Sequence, residues 1–401
     1  MQHDSRRMTE PIVRLDGVRL DGVRLALFSD TYPPQMNGVS RTLERLVIAA
    51  RDRGAAVRVF TTSDPDAMTV DETVVRWPSA PFWAYPQVRL APPRAFAARR
   101  ELSAWRPSLV HVATEFGVGF AGRAAALSLR VPLVTSYHTS FSAYADFYRL
   151  GALAPMGWRY FRWFHSAAAL TVTPTDAIRR EVEAHGFRNV GIWGRGVDGE
   201  RFDPAFRSLD WRRERGIEDD AMVVVYVGRI AREKGLEHAL RAMQELDGVA
   251  PRIRFVCVGD GPYEAEMRAS APPGVIFTGR LSGVPLSTAY ASSDVFLFPS
   301  VTDTFGNVLL EAMASGLVVV SADAGNTREL VGTDLSRGVI VDAAAPGAIA
   351  TALRSLETDR ARHAAIRANA QAWARERTWT KVWNGLFGDY LRVISARAAS
   401  S

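Results

Sequence analysis

The sequence has one cysteine, two lysines and no long apolar run. The first and third of these shortages exclude particular structural features. Cys257 is the single cysteine among 401 residues, which excludes an internal disulfide framework and a cysteine-based metal cluster. No apolar run reaches the roughly 18 residues that a membrane-spanning helix needs. The N-terminal residues also lack the uninterrupted apolar segment of a secretion signal. We therefore expect a cytoplasmic protein.

Lysine is nearly absent, and the charge is unevenly distributed. Of 49 basic residues only Lys234 and Lys381 are lysines. Residues 1–205 contain 26 basic and 20 acidic side chains, so the net charge of +6 lies in this half of the chain. We expect this half to meet an acidic partner, such as an anionic lipid surface or an acidic acceptor. Nucleic acid is not expected, because no zinc-finger, helix-turn-helix or RNA-binding signature is present.

Short apolar runs alternate with helical patterns along the chain. Strand-like runs begin at Arg24, Val57, Leu109, Val131, Ala169, Met222, Ile253, Val275, Asp294, Leu317 and Gly338. Such alternation predicts parallel β-α-β units, and the length exceeds what one core usually serves. We predict an α/β protein with two doubly wound, Rossmann-like domains, residues 1–204 and 205–378, facing across a cleft that holds the site. Residues 379–401 are predicted to form a helix that crosses back to the first domain.

Two acidic residues lie in the segment FPSVTDTFGNVLLEAMASG, residues 298–316. Asp303 precedes a turn, and Glu311 falls within a predicted helix that follows a buried strand and ends at Gly316. In a parallel sheet, ligands bind beyond the carboxyl ends of the strands, where a helix N-terminus attracts phosphate. The segment therefore predicts a site for a phosphorylated ligand.

Arg229 and Lys234 follow another predicted strand, in VYVGRIAREKGLEHAL. Arginine supplies a two-pronged fork and lysine a mobile charge, a combination that suits a departing diphosphate. The alternatives are a solvent salt bridge between Lys234 and Glu233 or Glu237, and chance, since Lys381 is a retained lysine with no evident task. A lysine retained in a chain that otherwise uses arginine favours the functional interpretation.

Two candidate site residues lie in the first half of the chain. Gly38, in FSDTYPPQMNGVSRTLERL, would let the backbone approach a ligand before a helix that we expect to begin near Ser40. His138 directly follows a predicted strand in VTSYHTSFSAY. A lone histidine is more often structural than catalytic, so this residue gains weight only from its context.

Seven segments together resemble the retaining glycosyltransferases of family 4, over nearly the whole chain from about Arg24. They are PPQMNGVSRTL, LVHVATEFGVGFAGRAAA, SYHTSF, GRGVDGERFDP, VGRIAREKG, GDGPYEAEM and SVTDTFGNVLLEAMASG. The resemblance implies the GT-B fold and transfer of a hexose from a nucleotide sugar to a hydroxyl with retention of configuration. It implies no metal and no other cofactor.

The resemblance also implies roles for individual residues. The catalytic set would be Arg229, Lys234, His138 and Asp303. The donor would be bound by Gly38, Arg280, Leu281, Thr304, Phe305, Gly306, Asn307 and Glu311, and the acceptor would lie near Asn37 and His138. Two positions depart from the family pattern. The first acid is usually glutamate where this chain has Asp303, and two adjacent glycines are common where it has Asn37 and Gly38.

The same resemblance narrows the range of possible donors and acceptors. The segments are most similar to those of bacterial GDP-mannose-dependent α-mannosyltransferases, with UDP-sugar-dependent glucosyl and sulfoquinovosyl lipid synthases as the alternative. The acceptor would be a lipid-linked molecule or a glycan. Residues 151–169, which are rich in aromatic and basic side chains, together with PPRAFAARRELSAW from Pro92, predict peripheral contact with an anionic membrane. One face of residues 151–169 is expected to be core: Leu153, Met156, Tyr160, Trp163 and Ala167.

Other classes fit less well. A non-catalytic nucleotide-sugar-binding protein would lose Arg229, Lys234 or the acids, which are all present. An NAD-dependent oxidoreductase would show G-x-G-x-x-G after the first strand, and this sequence has no such motif there. A glycosidase would place its two carboxylates across the scissile bond. The sequence DPD at 64–66 lies in a hydrophilic loop, so we interpret it as a turn and expect no metal site.

Overall fold

The computed structural model describes residues 17–35, 37–67, 71–82, 85–138, 154–301, 306–323, 327–332 and 334–399, with the backbone alone at 85–88. Within these ranges the chain forms two parallel β-sheets with helices packed on both faces. The predicted α/β class with two Rossmann-like units is thereby confirmed. Asp303, Thr304 and Phe305 lie outside the described residues, so their predicted roles stay predictions.

The first sheet has seven parallel strands in the order β3-β2-β1-β6-β7-β8-β9. Its strands are β1 Arg24–Phe28, β2 Ala56–Thr62, β3 Val74–Trp77, β6 Leu109–Val112, β7 Leu133–Ser136, β8 Leu170–Thr173 and β9 Val190–Ile192. A separate antiparallel pair is formed by β4 Ala80–Phe82 and β5 Tyr85–Leu90. The described helices of this half are α1 Gly38–Asp52, α2 Ala95–Trp105, α3 Gly117–Leu129, α4 Ala154–His165 and α5 Asp176–Ala184.

The second sheet has six parallel strands in the order β12-β11-β10-β13-β14-β15. They are β10 Met222–Val227, β11 Ile253–Val258, β12 Val275–Gly279, β13 Val295–Phe298, β14 Val318–Ala322 and β15 Gly338–Val341. The described α-helices here are α6 Leu209–Arg213, α7 Leu236–Leu246, α8 Glu264–Ser270, α9 Gly283–Ala291, α10 Asn307–Ala314, α11 Thr327–Val331, α12 Ala348–Thr358, α13 Arg360–Arg375 and α14 Trp379–Ala399. One-turn 3₁₀ helices span Pro204–Phe206 and Arg232–Lys234.

The C-terminal helix α14 packs on the first sheet, as predicted. Trp383, Leu386 and Phe387 are buried in the cluster that also contains residues of β1, β2 and α1. The Tyr390 hydroxyl lies 2.5 Å from Nδ1 of His111 on β6, and Nε2 of His111 lies 2.6 Å from the Ser136 hydroxyl. The helix is thus anchored by apolar packing and by a buried polar contact.

The chain crosses between the two halves twice, at neighbouring positions. The Val197 N–H donates to the Arg377 carbonyl oxygen (2.8 Å), and Val197 pairs with Thr378 in an isolated parallel bridge. A Cβ on Gly196 would lie 2.6 Å from the backbone nitrogen of Trp379, so the two crossings are in tight contact. The predicted domain boundaries at 204 and 378 fall close to this point.

We expect the folded protein to lose stability as the pH falls below about 6.5. Burial lowers the pKa of His111 to about 3, whereas an unfolded histidine titrates near 6.5. Between these values the unfolded chain binds the extra proton, so stability is full above pH 6.5 and falls as the pH drops toward 3. His111 alone should remove about 2 kcal/mol at pH 5. Urea unfolding at pH 7 and pH 5 measures this loss.

A pair of variants isolates the contribution of His111. His111→Gln should be less stable at pH 7, because its buried partners lose their contacts, but its stability should change less between pH 7 and pH 5. His185→Gln, at an exposed histidine, should keep the wild-type dependence. An unchanged pH dependence in His111→Gln would contradict the assignment.

Candidate active site

The carboxyl ends of β10 and β13 bring two predicted site segments together. These strands are neighbours in the second sheet, with Val224 paired to Val295. Arg229 comes two residues after β10, and Lys234 ends the one-turn helix before α7. Helix α10 begins at Asn307, beyond the end of β13. Both basic residues and the start of α10 therefore lie at the same edge of the sheet.

The backbone around Arg229 is held by the loop that follows β11. The Ile230 N–H donates to the Asp260 carbonyl oxygen (2.8 Å), and the Tyr226 hydroxyl donates to the Arg229 carbonyl oxygen (2.8 Å). A Cβ on Gly259 would lie 1.9 Å from the Gly228 carbonyl oxygen, so glycine is required for this approach. The segment GDGP therefore fixes the direction in which Arg229 leaves the sheet.

Helix α10 begins at the same edge of the sheet. Gly306 caps it in the left-handed region, at φ 66°, where a Cβ would lie 3.0 Å from Leu309. The Leu309 N–H donates to the Gly306 carbonyl oxygen (2.9 Å). The N–H groups of Asn307 and Val308 have no preceding carbonyl group within the helix to accept from them, so the start of the helix suits an anion. The side-chain oxygen of Asn307 is buried and has no hydrogen-bond partner within the described ranges. The helix ends at Ala314 and Gly316 follows, as predicted.

Glu311 lies one helical turn into α10 and is partly buried. Its Oε2 accepts a hydrogen bond from the hydroxyl of Tyr290 on α9 (3.0 Å), a side chain that is fully buried. Burial raises the pKa of Glu311, while the Tyr290 hydrogen bond and the charges of Arg45, Arg201 and Arg41 lower it. Burial raises the pKa of Tyr290, which keeps it a donor.

Four residues around Glu311 were not predicted from the sequence. Arg41 and Arg45 come from α1 in the first half, and Arg201 comes from the connection between the halves. Arg41 and Arg45 are four residues apart and share a helix face, which is a signal available in the sequence. Tyr290 gives no such signal, because an aromatic residue at the end of an apolar helix is typical of core.

Arg280 and Leu281 follow β12 at the outer edge of the second sheet. Leu281 packs on the cluster that contains Phe296 and Leu310, whereas Arg280 is exposed. Strand β11 separates β12 from β10, so these two residues lie at a distance from the Arg229 segment along the edge of the sheet. Their predicted contact with the base stays a prediction.

Asn37 has a structural task that explains why it replaces a glycine. Its side-chain oxygen accepts from the Ser40 N–H (2.8 Å), and its side-chain nitrogen donates to the Thr31 hydroxyl (2.7 Å). This cap starts α1 at Gly38, two residues before the predicted Ser40. A Cβ on Gly38 would meet no atom within 4 Å, so described neighbours do not require a glycine there.

His138 lies just beyond β7 and is buried, with 7% of its surface exposed. Its Nδ1 is 3.4 Å from a terminal nitrogen of Arg195, and its ring meets the edge of Trp193 with centroids 5.3 Å apart. Burial first, and then the charge of Arg195, lower the pKa of His138 well below its ordinary value. Burial lowers the pKa of Arg195 to about 10, so its guanidinium stays charged at neutral pH.

The predicted orientation of residues 154–165 is wrong. Met156, Tyr160 and Trp163 were expected in the core but are exposed, whereas Trp158 and Phe164 are buried. Aromatic residues occur on every face of α4, so spacing alone could not select the buried face. Leu153 lies outside the described residues, and Ala167 is partly buried.

Five large apolar side chains of α2, α4 and the start of α3 are exposed, and we refer to them as the aromatic surface: Phe96, Phe116, Met156, Tyr160 and Trp163. The Tyr160 hydroxyl donates to the carbonyl oxygen of Glu115, next to Phe116, which joins α4 to the start of α3. Exposed arginines lie on or next to α2 and α4, namely Arg94, Arg99, Arg100, Arg159 and Arg162. In the described part of the chain no helix has the length and apolar character needed to cross a membrane.

Comparison with known proteins gives matches over most of the chain. Residues 36–201 match the family model described as Glycosyltransferase Family 4, and residues 208–373 match Glycosyl transferases group 1. A GDP-mannose-dependent alpha-mannosyltransferase of Mycobacterium tuberculosis is 33% identical over 94% of this chain and 99% of that protein. Sulfoquinovosyl transferase SQD2 of Arabidopsis thaliana is 35% identical over 78% of this chain, which spans only 62% of that protein.

A solved structure supports the fold. Anabaena HepE, crystallised in complex with UDP, superimposes with a TM-score of 0.75 at 21% identity, covering 92% of this chain and 99% of that one. At 21% sequence identity, this structural similarity shows only that the two proteins share a fold. The two family matches and the full-length relative show that the chain belongs to glycosyltransferase family 4 and has the GT-B fold.

Proposed function

We propose that the protein is a retaining α-mannosyltransferase that moves mannose from GDP-mannose to a hydroxyl of a lipid-linked or glycan acceptor. The observation that carries this proposal is the convergence of Arg229, Lys234 and the start of α10 at one sheet edge, with Glu311 one turn further on. The full-length mannosyltransferase relative supports the choice of mannose.

Each group has a distinct task in the proposed reaction. Arg229, Lys234 and the N-terminus of α10 stabilise the charge that develops on the departing diphosphate. Glu311 binds the ribose hydroxyls and Asp303 binds hydroxyls of the transferred sugar. The departing phosphate accepts the proton of the incoming hydroxyl on the same face of the sugar. No metal is required, because protein cations and helix N–H groups supply the electrostatic stabilisation.

Tyr290→Phe is expected to raise the KM for the donor by about tenfold, because a hydrogen bond to a charged carboxylate is lost while the ring remains. The variant should also shift the acidic limb of kcat/KM to higher pH, since this hydrogen bond lowers the pKa of Glu311. Steady-state kinetics from pH 5 to 8 measure both effects. In a Glu311→Gln background the same substitution should change KM little, and an equal loss there would indicate a packing defect.

The aromatic surface supports a lipid-linked acceptor. Exposed rings and exposed arginines on the same helices match the interfacial zone of an anionic membrane. We expect the protein to co-sediment with vesicles that contain anionic lipid at low salt, and Phe96→Ser with Trp163→Ser to weaken this binding. Ile48→Ser is the matched control, because Ile48 is exposed on α1, which packs on the opposite face of the first sheet. Absence of co-sedimentation by the wild-type protein would remove the membrane from the proposal.

A UDP-sugar-dependent glycolipid synthase is the second candidate, and the 35% identity to SQD2 favours it. Thermal stabilisation by GDP, UDP, ADP and NAD without metal separates the two, with Lys234→Ala as the site control. Selective stabilisation by GDP that weakens in the variant supports GDP-mannose, whereas stabilisation by UDP moves the donor to a glucose or sulfoquinovose type. A response to NAD alone would overturn both. Absence of turnover with radiolabelled donors would favour a non-catalytic binding protein.

A further inference from the structure

The guanidinium of Arg195 faces one nitrogen of the His138 ring. One terminal nitrogen of Arg195 donates to the carbonyl oxygens of Trp193 (3.0 Å) and Gly194 (3.2 Å), which fixes the plane of the group. The other terminal nitrogen lies 3.4 Å from Nδ1 of His138. Both side chains are buried, so the geometry is set by the surrounding fold.

This contact determines where the imidazole proton lies. A guanidinium carries N–H donors and no acceptor, so Nδ1 of His138 must present its lone pair. The pKa of His138 is well below its ordinary value because of burial and the positive charge of Arg195, with smaller contributions from His111 and His165. The ring is therefore neutral, and its one proton must be on Nε2.

The Nε2–H group lacks a partner within the described residues. Nε2 is buried and makes no hydrogen bond there. A buried donor without an acceptor is costly, by about 1–3 kcal/mol, and such groups in native proteins usually have a task. Since His138 lies at the carboxyl end of β7, where ligands of parallel sheets bind, a ligand oxygen is the fitting acceptor.

We propose that Arg195 is a positioning residue that holds His138 as its Nε2–H tautomer, so that His138 donates a hydrogen bond to a sugar oxygen and does not act as a base. The identity of that oxygen rests on the proposed glycosyl transfer; the tautomer does not. A base would need its lone pair on Nε2. The proton would then be on Nδ1, facing the N–H of Arg195, and two donors would oppose each other.

The tautomer can be observed without turnover. Long-range ¹H–¹⁵N spectra of the ¹⁵N-histidine-labelled full chain distinguish protonated Nδ1 from protonated Nε2, and His138→Gln assigns the signal among the seven histidines. We expect an Nε2–H ring that does not titrate between pH 8 and 6. In Arg195→Met the Nδ1–H form should appear and the ring should titrate at higher pH than in the wild type. An Nδ1–H ring in the wild type would overturn the proposal, even if Arg195→Met failed to fold.

Kinetics test the donor role separately. Glutamine places an amide N–H near the position of Nε2, so His138→Gln should lose about tenfold in kcat/KM, against about a hundredfold or more for His138→Ala. Arg195→Met should lower kcat/KM in the wild-type background and much less in His138→Ala. If glutamine and alanine are equally inactive and an acidic limb disappears with His138, the residue is a base and the proposal is wrong. If no donor supports transfer, the proposed function fails while the spectra still decide the tautomer.

Discussion

Lys234→Ala and Arg229→Ala are each expected to lower kcat by about 10²- to 10³-fold. The reason is that these cations oppose negative charge that grows as the bond to the diphosphate breaks, so the transition state gains more from them than the bound donor does. Steady-state kinetics with radiolabelled donor measure kcat and KM apart. Lys381→Ala is the matched control, because Lys381 is the other lysine of the chain and is exposed on α14.

Whether each substitution changes kcat or KM separates catalysis from donor binding. A rise in donor KM with unchanged kcat would show that the pair contributes only ground-state binding. That outcome would contradict electrostatic catalysis at this edge of the sheet while leaving donor binding intact. Arg229→Lys adds a finer comparison, since it keeps the charge and removes the two-pronged fork.

Gly259→Ala is expected to destabilise the protein by about 3 kcal/mol or more and to abolish stabilisation by the nucleotide. The added Cβ would lie 1.9 Å from the Gly228 carbonyl oxygen, so the backbone that carries Arg229 must move. Urea unfolding and thermal shift with nucleotide measure the two effects. Gly259 contacts the segment that carries Arg229 only through its backbone.

Gly248→Ala is the control for this substitution. Gly248 also has a positive φ, of 71°, but a Cβ there would meet no atom within 4 Å. It should therefore cost about 1–2 kcal/mol from backbone strain alone and leave nucleotide binding unchanged. Equal effects of the two substitutions would show that the close approach does not hold Arg229 in place.

The buried elements of the fold were predictable from the sequence, because a parallel strand covered on both faces appears as a continuous apolar run. Strand β13 spans Val295–Phe298 and lies within the apolar run that begins at Asp294. Strands β3 and β9 were not predicted, since they form the two edges of the first sheet and their residues are mixed in character. Edge strands bury less side-chain surface and so leave a weaker pattern.

The candidate site was predictable where it depends on local order along the chain. Arg229 follows a strand, Lys234 precedes a helix and Glu311 lies one turn into another helix, and those positions could be inferred from the segments themselves. Tyr290 could not be predicted, because it lies 21 positions before Glu311 in the chain and contacts it through the tertiary packing of two helices. The buried face of α4 was missed for a similar reason: Trp158 packs on Tyr137 and Phe187, which belong to other elements.

The paired chain crossings at Val197 and Arg377 set how the two domains can move. The two covalent connections are held side by side by a backbone hydrogen bond, and we expect them to act as a hinge with one axis. Rotation about that axis opens the far rim of the cleft widely and moves groups near the hinge, such as Arg201, much less. Closure about the same axis would exclude water from the reacting bond of the proposed transfer.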